Sequence, residues 1–476
     1  MIWTITKKEI LEQFISVRFI ILTIICVMLL PMSLFVSYRG YKNQVADYNR
    51  SVRLSQENIE NLNLSQVFTG DFSIKGYRPP SPLNVFASGL SESMPKSLEA
   101  KKSGLTLVKG GDKSDSILTI TGKIDFTFIL MIVFSLLAIL FTFDAVCGEK
   151  EKGILRAALS NSIPRDKYIL GKYFGTMFTL LLPLIVSILI GLILLVLLGY
   201  QLFTIEIFTR IFLILINSII FISIFSCIGL LISTRVNNSK TSIIILVSVW
   251  IILMFVIPKG SDIVARAFIP VDSDEVIELQ KLLVQQNLQL EKGKRIAEME
   301  KDLPQIALDM NQEEKERVYQ KRNEMLNGVR NEYAQKINNE TRKIDEQHEL
   351  EKAWQNSVAL TLARISPATS FNKITTDLAW TGEQTRKNFE KAAKVYLTVL
   401  NQSLFNFIFR DISPSGGISM GITEPINFKE LPTFQFERSL LPETFKAVVL
   451  DIGLMLFFSI FSFVLVYVSF LKYDIR

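Results

Sequence analysis

The apolar residues of this chain are gathered into long blocks instead of alternating with polar ones. Five blocks, Phe19–Ser37, Phe126–Phe143, Tyr173–Ile205, Ile211–Thr234 and Thr241–Pro258, hold no charge over 18 residues or more. A sixth, Ile452–Leu471, lies between Asp451 and Lys472. About 20 apolar residues in a helix cross ~30 Å of hydrocarbon, and lipid offers no partner to backbone polar groups. The blocks therefore predict an all-α polytopic membrane protein with spans at 18–38, 125–146, 173–199, 207–232, 241–258 and 447–471. The first block carries Pro31 and lacks a small-x-small cleavage site, so it reads as a span and not as a secretory signal.

Lysine and arginine in the connections set the orientation. With the N-terminus inside, the inner segments hold Lys7, Lys8 and Arg18, the basic loop 147–172, Arg235 and Lys240, and finally Lys472 and Arg476. Both termini are then cytoplasmic, in a bacterial plasma (inner) membrane. Two long connections fall outside. One, 39–124, is polar, with Pro79, Pro80 and Pro82 and a Gly/Lys/Ser-rich stretch near Lys109–Ser114. The other, 259–446, is larger. Val276, Leu279, Leu283 and Leu290 recur at helical spacing, as do Val318, Met325, Val329, Tyr333, Ile337 and Ile344, with Pro304 between the two stripes. Two long antiparallel helices are expected there, serving a partner or simply packing on each other. The Pro- and Gly-rich run Ile412–Pro442 then leads back to the membrane as irregular or short-strand structure.

Ahead of the first span, 1–17 forms an amphipathic helix on a wheel. Trp3, Ile10, Leu11, Phe14, Ile15 and Val17 share one face, and Lys8, Glu9, Glu12, Gln13 and Ser16 the other. Such a helix lies in the membrane interface, or extends the first span inward. In the basic loop, Glu149, Lys150, Glu151 and Lys152 precede Gly153, a short apolar turn through Leu155, and Pro164 at the start of a second helical run. A short helix parallel to the membrane suits the grip of a motor domain as well as it suits anchoring. In the fourth span Asn217, Ser218, Ser223 and Ser226 either pack helices together or line a substrate route. Arg210 and Asp451, near the outer ends of their spans, read as interface anchors.

Composition narrows the chemistry. The chain is 49% hydrophobic with net charge +6, which selects no partner class and gives no reason to expect nucleic acid. Cys26, Cys147 and Cys227 sit in separate apolar blocks, and His348 is the one histidine. No disulfide framework, metal site or catalytic residue is expected. A G-x-x-x-x-G-K-[ST] phosphate loop is lacking; the nearest string, Gly110-Gly-Asp-Lys-Ser114, has no glycine before its lysine.

The string Glu149-Lys-Glu-Lys-Gly-Ile-Leu155, with Leu159-Ser160, Pro164-Arg165 and Leu170-Gly171-Lys172, resembles the loop of ABC-2 type transporter permeases, Ile154 standing where threonine is usual. The resemblance implies an ABC-2 (type V exporter-like) architecture. It also implies a coupling helix in this loop that docks on separate cytoplasmic ATPase subunits through Glu149, Lys150, Glu151, Gly153, Leu155, Arg156, Pro164 and Arg165. ATP and Mg would be bound by those subunits and not by this chain. A second permease copy, in a homodimer or a heterodimer with a related chain, is implied, beside membrane lipid. Ile365-Ser-Pro-Ala368, Leu378-Ala-Trp-Thr-Gly382 and Phe389 are similar to the end of the outer domain in a subgroup with a large insert before the last span. The implied function is outward transport of an unidentified substrate. Transmission of ATP-driven motion to an extracytoplasmic protein partner, or a motor-free scaffold, are the alternatives.

Overall fold

The computed structural model describes residues 1–62, 66, 72–101, 104–109, 124–160, 164–200, 204–302, 312–410 and 431–472. The string Gly110–Ser114 and the proline- and glycine-rich run up to Pro425 lie outside them. The described residues are predominantly helical, and six of their helices are long and apolar enough to cross a membrane. They divide into two compact units, Met1–Met254 with Ser366–Arg476, and Phe255–Ile365.

In the first unit, α1 (Ile2–Ile15) stops at Ser16, whose backbone is extended. The Ser16 hydroxyl then accepts from the Phe19 N–H, capping α2 (Val17–Glu60). This helix runs far past the apolar block, because polarity changes after residue 38 but helix propensity does not. Beyond it, β1 (Ile74–Tyr77), β2 (Pro95–Lys101) and β3 (Gly104–Lys109) form an antiparallel sheet in that order. Its inner face shares a core with the end of α2 and with a later helix, through Ile59, Ile74, Leu98, Tyr396 and Leu400.

The second span, α3, combines Phe126–Phe128, a π-helical segment Ile129–Phe134 and Ser135–Thr142. Two short helices follow in the loop, α4 (Cys147–Glu151) and α5 (Ile154–Ser160). The spans α6 (Arg165–Leu197) and α7 (Ile205–Arg235) come next. The fifth span, α8 (Ser239–Phe268), contains a second π-helical segment, Ile252–Val256, and outlasts its apolar block by ten residues. The chain re-enters the first unit with α11 (Pro367–Leu378), α12 (Glu383–Arg410) and the last span, α13 (Leu441–Leu471).

In the second unit, α9 (Asp274–Asp302) and α10 (Gln312–Ala363) form the expected hairpin, with Lys281 bridging Asp345 at 3.0 Å and Arg322 near Glu300 at 3.7 Å. On α10 the face toward α9 includes Val318, Val329, Tyr333, Ile337 and Ile344 as read from sequence, but Met325 is exposed and Leu326 takes its place. On α9 the expected stripe is on the wrong face. Ile277, Val284, Leu288 and Ile296 turn inward, while Val276, Leu279, Leu283 and Leu290 are exposed. Both faces of α9 carry apolar residues at helical spacing, and periodicity alone does not say which one meets α10.

Candidate functional site: the loop junction and the buried cap of the bundle

The loop between the second and third spans is built on a close approach of α1 to α6. Gly171 and Gly175, one turn apart on α6, leave room for Ile5 and Glu9; a Cβ at either would sit 2.7 Å or less from their side chains. This docks Glu9 beside Lys172. The Lys172 ammonium, 3% exposed, bridges Glu9 at 2.6 Å and Glu149 at 2.8 Å. Glu149 also accepts from the Tyr168 hydroxyl and lies 3.7 Å from Lys8. One residue of the expected polar face of α1 departs from it. Polar Glu9 is buried against α6, and Trp3, Leu11 and Ile15 are exposed. The reason is Lys172 within α6: a buried ammonium is tolerable only with paired anions, and α1 supplies one. Carboxylate oxygens of Glu9, Glu12 and Glu149 lie within 4.8 Å of one another, and Lys172 and Lys8 between them pair with all three, which makes the group an ion-pair network with one negative charge in excess.

The neighbouring charges also turn inward. Lys150 donates to the carbonyls of Thr234 at 2.5 Å and Val236 at 3.2 Å, satisfying the C-terminal end of α7. Glu151 accepts from the Ser239 N–H at 2.8 Å and its hydroxyl at 2.9 Å, at the N-terminal end of α8, where an anion complements the helix dipole. Ser233 on α7 accepts from the Val146 and Cys147 N–H groups at 3.0 and 3.1 Å. Leu155 is buried against Val146, Tyr168, Ile169, Leu230 and Phe470. Pro164 stands as the residue before α6, and Arg165 donates to the Leu471 carbonyl at 2.8 Å. Gly153 holds a left-handed φ of 70°, which turns the chain between α4 and α5. What remains exposed is Glu151, for all its bonds to Ser239, with Lys152, Gly153, Ile154, Arg156, Ala157 and Ser160.

At the other end of the bundle, α11 packs between α7 and α13. Phe371 stacks on Phe221 at 4.4 Å, and Asn217 donates to Thr375 Oγ1 at 3.1 Å and the Phe371 carbonyl at 3.3 Å. Ser366 caps α11 and bonds the Leu253 carbonyl in the π-helical segment of α8, whose i→i+5 register alters the usual helical pairing. Trp380, which ends α11, takes a left-handed φ of 55°, costing about 1–2 kcal/mol for a residue other than glycine. Its surroundings hold it there. The indole donates to the Ser439 carbonyl at 2.9 Å, and the Arg210 guanidinium lies 4.0 Å from the ring centre.

Arg210 is fully buried and is no interface anchor. It bonds Glu206, the Leu378 and Ser439 carbonyls and Thr444. Asp451 is fully buried too, with the Ser370 hydroxyl 3.4 Å away. In the fourth span, Ser218 returns its hydroxyl to the Ile214 carbonyl, Ser223 meets Tyr173 at 2.7 Å, and the buried Ser226 hydroxyl has no hydrogen-bond partner among the described residues. Sequence reasoning missed Glu9, Tyr168, Lys172 and Ser233. The signal available was Gly171-Lys-x-x-Gly175, a lysine flanked by glycines four apart at the mouth of an apolar block.

Six spanning helices, a charged loop bonded to three of them and to α1, and α11 seated in the opposite end define a polytopic transport subunit. A family profile described as ABC-2 family transporter protein covers residues 3–475, and the chain belongs to that family. No curated protein matches it significantly. It is a permease component of an ABC transporter, a membrane subunit of a kind that is not itself catalytic.

Proposed function

We propose that the chain is the permease of an ABC exporter, paired with a second permease copy and driven by two cytoplasmic ATPase subunits that bind ATP and Mg. The loop 147–172 and both termini face the cytoplasm of a bacterial cell, and the insert after the fifth span faces outward. One observation carries the reading: Glu149, Lys150 and Glu151 are bonded to α1, α6, α7 and α8, while Ile154 and Arg156 remain exposed. A force applied to α5 therefore reaches four helices through charge-assisted bonds. The coupling role belongs to the exposed Gly153, Ile154 and Arg156 for contact, and to Glu149–Glu151 with the buried Leu155 and Arg165 for transmission. The test is co-purification with the ATPase encoded beside it and measurement of ATP turnover. Glu151→Lys with Gly153→Pro should lower both association and turnover; unchanged values would remove the coupling assignment.

A second reading, transmission of motion to an external partner without transport, draws on α11, which ties the insert directly to α7. Substrate-independent ATP turnover that responds to an external protein would favour it over export.

A further inference from the structure

The outward face of α9 is unlike the rest of the hairpin. Val276, Leu279, Leu283, Gln286 and Leu290 follow one another at spacings of three, four, three and four residues. That is a heptad seam with one polar position, the pattern by which a helix meets a second helix along a supercoil. Helix α10 does not cover it. Leu279, Leu283 and Leu290 are 57%, 51% and 66% exposed, and α10 meets the opposite face through Ile277, Val284, Leu288 and Ile296. Four of the positions flanking the seam, Gln280, Leu282, Asn287 and Gln289, are uncharged, with Glu275 at its start the one charge, although the hairpin as a whole is dense in charge. Beside its C-terminal half a groove of about 710 Å³ runs between Leu282, Gln285, Gln286, Gln289, Leu290 and Ile337.

We infer that this seam pairs with the same seam of a second copy of the chain. Three features select that occupant. Flanks with a single charge create little like-charge repulsion when a surface meets itself, and they offer little to a strongly charged partner. A two-fold contact brings the same face of both copies together, and when the two seams lie parallel the axis runs along α9. The self-complementary contact such an axis requires is then Leu283 on Leu283, with Gln286 paired to Gln286 to fix the register. Finally, the seam covers about two heptads, fewer than the three to four that sustain an independent coiled coil. It therefore works only for a partner already held nearby, where tethering replaces bulk concentration with an effective one in the millimolar range.

The inference rests on the pairing of permeases proposed above, and the experiment separates the two. The full chain is expressed in membranes with Leu283→Cys or Leu290→Cys, and with Leu350→Cys as a control that is exposed but off the seam. The native cysteines Cys26, Cys147 and Cys227 are buried and form no background. Mild oxidation should convert most of the Leu283→Cys and Leu290→Cys protein to disulfide-linked dimer, at least fivefold more than Leu350→Cys. Adding Leu279→Glu should abolish the cross-link while the dimer mass of the detergent-purified chain persists. Dimer mass without seam-specific cross-linking would overturn the seam and leave permease pairing standing. Monomer mass without cross-linking would overturn both.

Discussion

Lys172→Met removes the one cation that both buried carboxylates share. Glu9 and Glu149 keep side-chain exposures of 6% and 13%, so water screens them poorly. With carboxylate oxygens within 4.8 Å and an effective dielectric near 20, their mutual repulsion amounts to about 3.5 kcal/mol. This agrees with the ~3–5 kcal/mol that follows from breaking a buried pair by deleting one partner. Lys8, at 3.7 Å from Glu149 and half exposed, offsets only a small part. Burial pushes the Glu149 carboxyl up and Lys172 draws it below the ordinary glutamate range; without Lys172 its protonation comes within reach and relieves the repulsion, so the defect should shrink as the pH falls from 7 to 5. The native thiols report the loss, because Cys147 and Cys227 are buried beside this junction. A thiol-reactive dye added during heating of the detergent-solubilised protein should label Lys172→Met well below the wild-type midpoint. Combining it with Glu9→Gln and Glu149→Gln should restore most of the difference, since no unpaired buried charge then remains. Wild-type labelling of the single variant, or a triple variant no better than the single, would refute the shared-cation account.

Two further outcomes follow from the opposite half of the chain. Arg210→Met leaves the Leu378 carbonyl without its donor, takes one of two donors from the Ser439 carbonyl and strips the cation from the Trp380 ring, costing about 3 kcal/mol; limited proteolysis should cut between α11 and α13 sooner than in wild type, and an unchanged digest counts against the role given to Arg210. In the hairpin, Lys352 and then His348 hold the exposed Asp274 carboxylate below its ordinary value of 3.8. A depressed folded value contributes stability present above the unfolded value and lost as the pH falls through the folded one. Hydrogen exchange at the start of α9 should therefore quicken below about pH 4 in wild type, and Asp274→Asn should flatten that step.

The spans were legible because lipid imposes one rule on every segment inside it: backbone groups must be satisfied within a helix. The loop motif was legible as a cluster of charges before a glycine, and its position between the second and third spans followed. What each charge holds was not legible. Glu149 reaches a lysine 23 residues away, Lys150 reaches carbonyls at 234 and 236, and Glu151 reaches Ser239. No local periodicity encodes such distant pairings. Arg210 misled for a related reason. An arginine at the end of an apolar block normally extends to the interface, but here Trp380, from a segment 170 residues later, closes over it. The wrong stripe on α9 has another cause, two apolar faces on one helix, where the hidden face was chosen by α10 and the exposed one remained.

Helix α7 joins the two regions. Its C-terminal end is gripped by Lys150, its own Ser233 accepts from the Val146 and Cys147 N–H groups, and Arg235 donates to Ser469 on α13 at 2.6 Å. Toward its N-terminal end, Asn217, Phe221 and Arg210 hold α11 and the residues after it. At 31 residues the helix is about 46 Å long, the distance from one membrane face to the other. If α7 moved while α11 stayed, Arg210 would lose its carbonyl partners while still buried, a loss of several kcal/mol. The lipid-facing contacts of α7 exchange one apolar neighbour for another and cost far less to rearrange. The cheaper motion therefore carries α11 and the Trp380 turn along with α7. Under the coupling proposed for the loop, whatever displaces α5 then displaces α11 and the Trp380 turn in the same step, and α11 acts as a working part of the bundle and not as a cover over it.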